Sequence, residues 1–183
     1  MLFRSLQYLL CLYALVALLV PLGRRLPQKV FDVLDVGFDR LFRSPLRALP
    51  FVPPVMLCVW DGPMFGEVEN AGFGLVPKAS AVACYGIYFT VGWWLHRRRE
   101  CLTELTRQLP VTFALAALAW LVHATILGTQ PTPAQPDFLK LKLTSLACAA
   151  LYAWLMTFAL TGWFLRSFSE PRPCLRYLAD ASY

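Results

Sequence analysis

The stretch LTSLACAALYAWLMTFALTGWFL, residues 143–165, decides the fold because it contains no charged residue. A helix that crosses the hydrocarbon core of a bilayer needs about 20 mostly apolar residues, and this stretch supplies them. Lys140 and Lys142 precede it and Arg166 follows it, as expected where a span meets water. The sequence therefore predicts a transmembrane helix over residues 141–165.

Three other apolar runs of similar length lie along the chain. Residues 5–23 and 79–95 carry no charge, and His123 is the one side chain in residues 111–127 that titrates near neutral pH. Prolines stand at the first helical position of the last two runs. Further spans are predicted at 5–23, 77–95 and 110–127.

The overall composition agrees with an all-α, polytopic membrane protein. Apolar residues make up 58% of the 183-residue chain and charged residues 15%, against about 45–50% and 25% in soluble domains. The net charge of +6 comes from Arg and Lys between apolar runs, which indicates loop charges and anionic lipid rather than nucleic acid. The whole chain is predicted to be one transmembrane region, 1–183.

Residues 29–43 form a different pattern. Asp32, Asp35, Asp39 and Arg43 fall outside an arc of about 120° that holds six apolar side chains. These are Val30, Phe31, Leu34, Phe38, Leu41 and Phe42. This is typical of an amphipathic helix, which lies in the headgroup plane or packs on the bundle. The first of these alternatives is the preferred prediction.

Residues 46–60 are apolar apart from Arg47, but three prolines interrupt them. If this segment crosses the membrane, five spans place 13 Arg and Lys residues on one side and 4 on the other. If it re-enters, the division is nine against eight. The positive-inside rule therefore favours five spans, with the N-terminus outside and the C-terminus in the cytoplasm of a cell-membrane protein.

Intramembrane ionisable groups are the first place to look for function, and His123 is the one deep candidate. No acid pairs with it at a readable spacing, so a histidine hydrogen-bonded within the bundle and a catalytic base both stay open. The cluster formed by His96 and residues 97–99 has the chemistry to bind an acyl-coenzyme phosphate, or it is a stop-transfer run. The acids Asp61, Glu67 and Glu69 lie in a glycine-rich outer loop, where they contact a sugar or water.

The sequence contains no metal motif and no recognised catalytic motif. Its six cysteines show no CxxC spacing and are interpreted as small apolar side chains. They are Cys11, Cys58, Cys84, Cys101, Cys148 and Cys174. No metal ion, permanently bound cofactor or catalytic residue is predicted from the residues themselves.

Three stretches resemble the acyltransferase 3 family of integral membrane acyltransferases, in its glucan biosynthesis protein C-like branch. LQYLLCLY at 6–13 resembles the span that follows an HLWFL-type motif. FGLVP at 73–77, continuing to YGIYFTVGWWL at 85–95 and the arginines, is similar to a loop, span and FGWLLYRRR ending. RYLADASY at 176–183 resembles the start of a late span.

The resemblance implies transfer of an acyl group, with acyl-CoA as a donor, to a hydroxyl of a sugar or glucan. It covers the later half of a typical family member, whose catalytic histidine and arginine motifs lie in early spans. Nothing in this chain matches those motifs, so the catalytic residues stay unknown. The expectation is a truncated acyltransferase that needs upstream spans or a partner subunit, and the alternative is a small non-enzymatic scaffold or partner.

Overall fold

The structure is a computed structural model that describes residues 10–17, 21, 27–44, 46–62 and 78–168. Every regular element within those ranges is helical, which confirms the all-α prediction. Residues 10–17 and residue 21 are helical, and the rest of the predicted span 5–23 lies outside the described residues. The resemblance stretches at 73–77 and 176–183, and the first half of the one at 6–13, also lie outside the described residues.

Six α-helices follow along the described chain, with a short 3₁₀ turn, Leu49–Phe51, before the second. They are α1 (Gln28–Arg43), α2 (Val52–Val59), α3 (Ala79–Arg97), α4 (Cys101–Arg107), α5 (Leu109–Gly128) and α6 (Phe138–Phe168). The predicted amphipathic helix and the predicted spans at 77–95, 110–127 and 141–165 correspond to α1, α3, α5 and α6. The short helix α4 was not predicted, because its seven residues carry no long apolar run.

Two of these helices, α5 and α6, are long and apolar enough to cross a membrane, with mean hydropathies of 1.9 and 1.7. In their most apolar stretches 17% and 39% of residues are buried, whereas the core helix of a soluble protein is mostly buried. The side chains that α5 exposes include Leu118, Trp120 and Leu121. An apolar exterior of this kind suits contact with lipid.

The other predicted spans have a weaker signal in the structure. Helix α3 has 19 residues, but its Tyr and Trp side chains and its His96–Arg97 end reduce its hydropathy. Segment 46–60 gives only the apolar helical stretch Leu49–Val59. Pro50 is the second residue of the 3₁₀ turn, and Pro53 and Pro54 lie in the first turn of α2, where missing N–H donors are tolerated. Length and composition therefore identify two candidate membrane spans among the described helices. The five-span arrangement stays a prediction.

Trp154 on α6 forms the centre of the core. Its ring stacks on Tyr88 of α3 at 4.2 Å between centroids and lies 4.5 Å from the ring of Phe51. Phe158, one turn later, lies 5.3 Å from Phe42 of α1. These aromatic contacts join α1, the 3₁₀ turn, α3 and α6 around one buried cluster.

Helix α4 lies unusually close to α6. A Cβ atom added at Gly162 would meet the carbonyl oxygen of Leu105 at 2.6 Å and the carbonyl carbon at 2.9 Å. Leu105 is fully buried in this contact. Only glycine allows the two backbones to approach this far.

Candidate functional site

One polar network joins the amphipathic helix α1 to the end of α3. Trp94 Nε1 donates a hydrogen bond of 3.0 Å to Asp35 Oδ1, and Arg97 Nη2 donates one of 3.2 Å to Asp35 Oδ2. One turn further along α1, Arg98 donates to both oxygens of Asp39, from Nε to Oδ1 at 3.1 Å and from Nη2 to Oδ2. The spacing of four residues places both aspartates on one side of α1.

Cys101 adds a thiol to the same network. Its Sγ donates to Asp39 Oδ1 at 3.2 Å. Burial, together with the neighbouring carboxylate, raises the pKa of the Cys101 thiol to about 11. The hydrogen bonds from Arg98 hold the pKa of Asp39 below its ordinary value of 3.8, although burial acts in the opposite direction. The thiol therefore stays protonated at neutral pH as a donor to an ionised Asp39.

These bonds change the interpretation of the arginine run and of α1. Arg97 and Arg98, which were candidates for binding an acyl-coenzyme phosphate, are paired with carboxylates instead, while His96 and Arg99 stay exposed. Helix α1 packs on the bundle through Phe42 and its acidic side. It also leaves an apolar stripe exposed, which comprises Val30, Val33, Leu34 and Val36. The packing of α1 on the bundle is therefore observed, and its placement in the headgroup plane stays a prediction.

Arg47 is the largest departure from sequence reasoning, which had counted it as a loop charge. Its side chain is only 1% exposed. Nη2 donates to Thr112 Oγ1 at 3.2 Å, Nη1 donates to the Glu104 carbonyl oxygen at 3.5 Å, and the guanidinium lies 5.7 Å from the ring centre of Phe158. Within the part of the chain that the structure describes, no carboxylate forms an ion pair with it. A lone charge in an otherwise apolar segment was the available signal in the sequence. The burial of Arg47, however, depends on contacts with three other elements, α4, α5 and α6.

His123 lies on α5 beside α6. Its Nδ1 is 2.9 Å from Ser145 Oγ and 3.2 Å from the Ser145 carbonyl oxygen. Ser145 is fully buried and His123 is partly exposed. No described acid pairs with the ring, so the hydrogen-bonded histidine is observed without a catalytic dyad. Sequence reasoning missed Ser145, because a serine in an apolar run gives no sign of its partner.

The remaining predicted site residues are spread apart. Asp61 is exposed at the end of residues 46–62, and Glu67 and Glu69 lie outside the described residues. No group of three potential metal ligands occurs among residues that the structure describes. The five described cysteines are free thiols, and Cys84 and Cys101 are buried. Apart from Cys101, they take part in no described hydrogen bond.

Comparisons of the chain with protein-family models, with curated proteins and with solved structures find no match.

Proposed function

We propose that this chain is a five-span membrane protein whose arginine-rich end faces the cytoplasm. The order of contacts along α6 supports a crossing by segment 46–60. Arg47 lies over Phe158, Phe51 packs on Trp154, and the Lys142 ammonium lies 4.5 Å from the ring centre of Trp60. Phe158 and Lys142 are separated by about 24 Å along a helix. The segment therefore runs antiparallel to α6 for most of a bilayer core, which favours a span over a re-entrant loop.

The basic residues that the structure describes divide unequally between the two ends of the bundle that these contacts define. The basic end comprises residues 39–47, 94–109 and 158–168, and the opposite end comprises 60–62, 78–81 and 123–142. The basic end carries Arg40, Arg43, Arg47, Arg97, Arg98, Arg99, Arg107 and Arg166. The opposite end carries Lys78, Lys140 and Lys142. This asymmetry supports a cytoplasmic basic end. The exposed apolar side chains of α1 are interspersed with the exposed Lys29 and Arg40, and this mixture fits the headgroup layer on that side.

Three single cysteines in a cysteine-free background test this topology with an impermeant thiol reagent on intact cells. Asp61→Cys is expected to react from outside, whereas Arg40→Cys and Arg99→Cys are expected to react only after permeabilisation. A re-entrant segment would instead place Arg40→Cys and Asp61→Cys on the same side. Labelling of both Arg40→Cys and Arg99→Cys from outside, with Asp61→Cys unlabelled, would reverse the orientation.

We infer acyl transfer to a sugar hydroxyl as the activity of this fold, and His123 is the observation that carries it. The histidine lies near the outer end of α5, where a carbohydrate acceptor is available. If Nδ1–H donates to the Ser145 carbonyl, Nε2 keeps its lone pair and faces no described hydrogen-bond partner. Nε2 then removes the proton of the acceptor hydroxyl as its oxygen attacks the acyl carbonyl. The donor is an acyl-CoA whose thioester end reaches His123 through the bundle from the cytoplasmic side. As the new ester forms, its carbon–sulfur bond breaks, and the protonated Nε2 gives the proton to the leaving thiolate.

Ser145 is a positioning residue in this scheme. Its complete burial keeps it away from an acyl donor, which excludes a role as nucleophile in the described conformation. Its carbonyl and hydroxyl fix the ring orientation and tautomer of His123. The inference that an acyl group is transferred rests on the sequence resemblance. The geometry of His123 supports its role as the base.

The experiment is release of coenzyme A thiol from short acyl-CoA donors by the protein in liposomes, with and without a glucan acceptor. We expect acceptor-dependent release that falls by about 100-fold or more in His123→Ala, the range typical of a lost general base. Thr125→Ala is the control, since Thr125 is exposed on the same helix, and it should retain the rate. Equal loss in both variants would contradict the role of His123.

A non-enzymatic membrane scaffold or partner subunit is the second candidate. It is favoured by the lack of an acid beside His123 among the described residues and by the pairing of Arg97 and Arg98 with α1. Correctly inserted protein that releases no thiol with any donor and acceptor would support the scaffold and contradict acyl transfer by this chain. The topology experiment establishes insertion independently of activity.

A further inference from the structure

A cavity of about 530 Å³ lies at the basic end, between α4 and the last turns of α6. Leu102, Thr103 and Thr106 of α4 form one wall, and Leu165 and Arg166 of α6 form the other. Its described lining therefore combines one cation, two hydroxyls and two leucines, without a carboxylate. This combination fits an amphiphile with an anionic head rather than a purely apolar or purely ionic ligand.

The packing of α4 explains why the cavity exists. Leu105 contacts Gly162 so closely that α4 is held against α6 at this point. Beyond Gly162, α6 continues to Phe168, while the outward side of α4 presents Leu102, Thr103 and Thr106. Leu165 and Arg166 follow Gly162 by three and four residues, so the close contact at Gly162 lies next to the two walls of the cavity.

Arg166 differs from Arg97 and Arg98, the two arginines that pair with aspartates of α1. Arg97 and Arg98 form ion pairs with aspartates, whereas Arg166 has no ion pair within the described part of the chain and is exposed. Its guanidinium is therefore available to a phosphate, which it binds well through two parallel N–H donors.

The two threonines present oxygen acceptors. Thr103 Oγ1 donates to the Glu100 carbonyl at 2.8 Å, and Thr106 Oγ1 donates to the Thr103 carbonyl at 2.7 Å. Their hydroxyl hydrogens are thus engaged, and their lone pairs can accept from a ligand that carries hydroxyl donors. A glycerol headgroup supplies such donors next to its phosphate.

We propose that this cavity binds an anionic phospholipid with a hydroxylated headgroup, of the phosphatidylglycerol type. The phosphate lies on Arg166, the headgroup hydroxyls donate to Thr103 and Thr106, and the acyl chains lie along Leu102 and Leu165. The proposal rests on the membrane placement given above, because the basic end then lies among the phosphates of the cytoplasmic leaflet. It does not depend on acyl transfer.

Native mass spectrometry of the protein in micelles with equal phosphatidylglycerol and phosphatidylcholine tests it. Wild-type protein is expected to keep one phosphatidylglycerol in preference to phosphatidylcholine. Arg166→Gln should weaken that retention about tenfold, the effect of one charge-assisted hydrogen bond. Arg107→Gln is the matched control, because Arg107 is exposed on α4 but does not line the cavity, and it should bind as wild type does.

A second pair of variants tests the headgroup contacts. Thr103→Val with Thr106→Val should reduce the preference for phosphatidylglycerol over phosphatidic acid, which lacks the headgroup hydroxyls. Thr125→Val, which removes a similar hydroxyl bonded to a carbonyl on α5, should leave the preference intact. An unchanged preference in the double variant would contradict the threonine contacts.

Three further results would overturn the proposal. They are no retained lipid on wild-type protein, equal weakening by Arg166→Gln and Arg107→Gln, and displacement by inorganic phosphate as effective as displacement by short-chain phosphatidylglycerol. The last result would identify a free-anion site. Micelles impose no orientation on the protein, so lipid binding can be measured even if the cysteine labelling contradicts the proposed topology. A failure of the lipid site is therefore distinguishable from a failure of the topology.

Discussion

At the basic end of the bundle, Arg97 and Arg98 pair with aspartates of another helix, whereas at the opposite end Lys140 contacts a near neighbour and Lys142 an aromatic ring. Asp39 binds Arg98 across 59 residues of sequence. Lys140 instead pairs with Asp137 three residues away, with both side chains exposed. Long-range pairs fix the relative position of helices, while an exposed local pair contributes little to stability. The comparison indicates that cross-helix ion pairs fix the position of α1 at the basic end.

Replacement of the buried Arg47 at the basic end is expected to have the largest effect on stability. Arg47→Ala should lower the free energy of unfolding in micelles by about 3 kcal/mol, because it leaves a cavity beside Phe158 and removes the donor to Thr112. Arg47→Met should cost less than about 1 kcal/mol, since it fills the space without a buried charge. Arg107→Ala, at an exposed position, is the control for loss of charge. Equal stability of the two alanine variants would show that Arg47 does not brace this end.

Disruption of the close contact between α4 and α6 is expected to have the second largest effect on stability. Gly162→Ala should destabilise the protein by about 2 kcal/mol, because the new Cβ atom meets the Leu105 backbone and forces the helices apart. Gly92→Ala on α3 is the matched control, since no atom lies within 4 Å of its added Cβ. Thermal unfolding of both variants measures the difference. A neutral Gly162→Ala would mean that α4 is not fixed at this point.

The aspartate network predicts a pH dependence confined to the basic end. Because Arg98 lowers the pKa of Asp39 in the folded state, the pair stabilises the protein above the unfolded value, near 3.8. This contribution is lost as the pH falls below 3.8 through the lower folded value. Asp39→Asn should remove that part of the acid sensitivity, whereas Asp32→Asn, at an exposed position, should not. The same acid profile in Asp39→Asn and wild type would contradict the pairing.

The opposite end should show the smallest effect. Ser145→Ala removes the hydroxyl next to His123 but leaves the carbonyl, so the cost should be about 0.6 kcal/mol, the average for such bonds between membrane helices. Thr144→Ala, at the exposed neighbouring position, is the control. A loss as large as that of Arg47→Ala would remove the distinction between the two ends.

The helices themselves were largely predictable, because each depends on a local pattern. Charge-free runs predicted α3, α5 and α6, and the periodicity of residues 29–43 predicted α1. Helix α4 was missed because it is short and its stability comes from packing Leu105 against Gly162. Segment 46–60 stayed ambiguous because its prolines weaken the helix signal. Only its contacts with Phe158, Trp154 and Lys142 indicate how far it runs along α6.

The polar contacts depend on the tertiary structure. The sequence by itself determined that the chain is all-helical and that its charges lie between apolar runs, because hydrophobicity and its period act over neighbouring residues. It did not determine that Asp35 and Asp39 neutralise Arg97 and Arg98, or that Arg47 is buried. Those contacts join residues about 60 positions apart, so the packing angles of whole helices decide which polar groups meet.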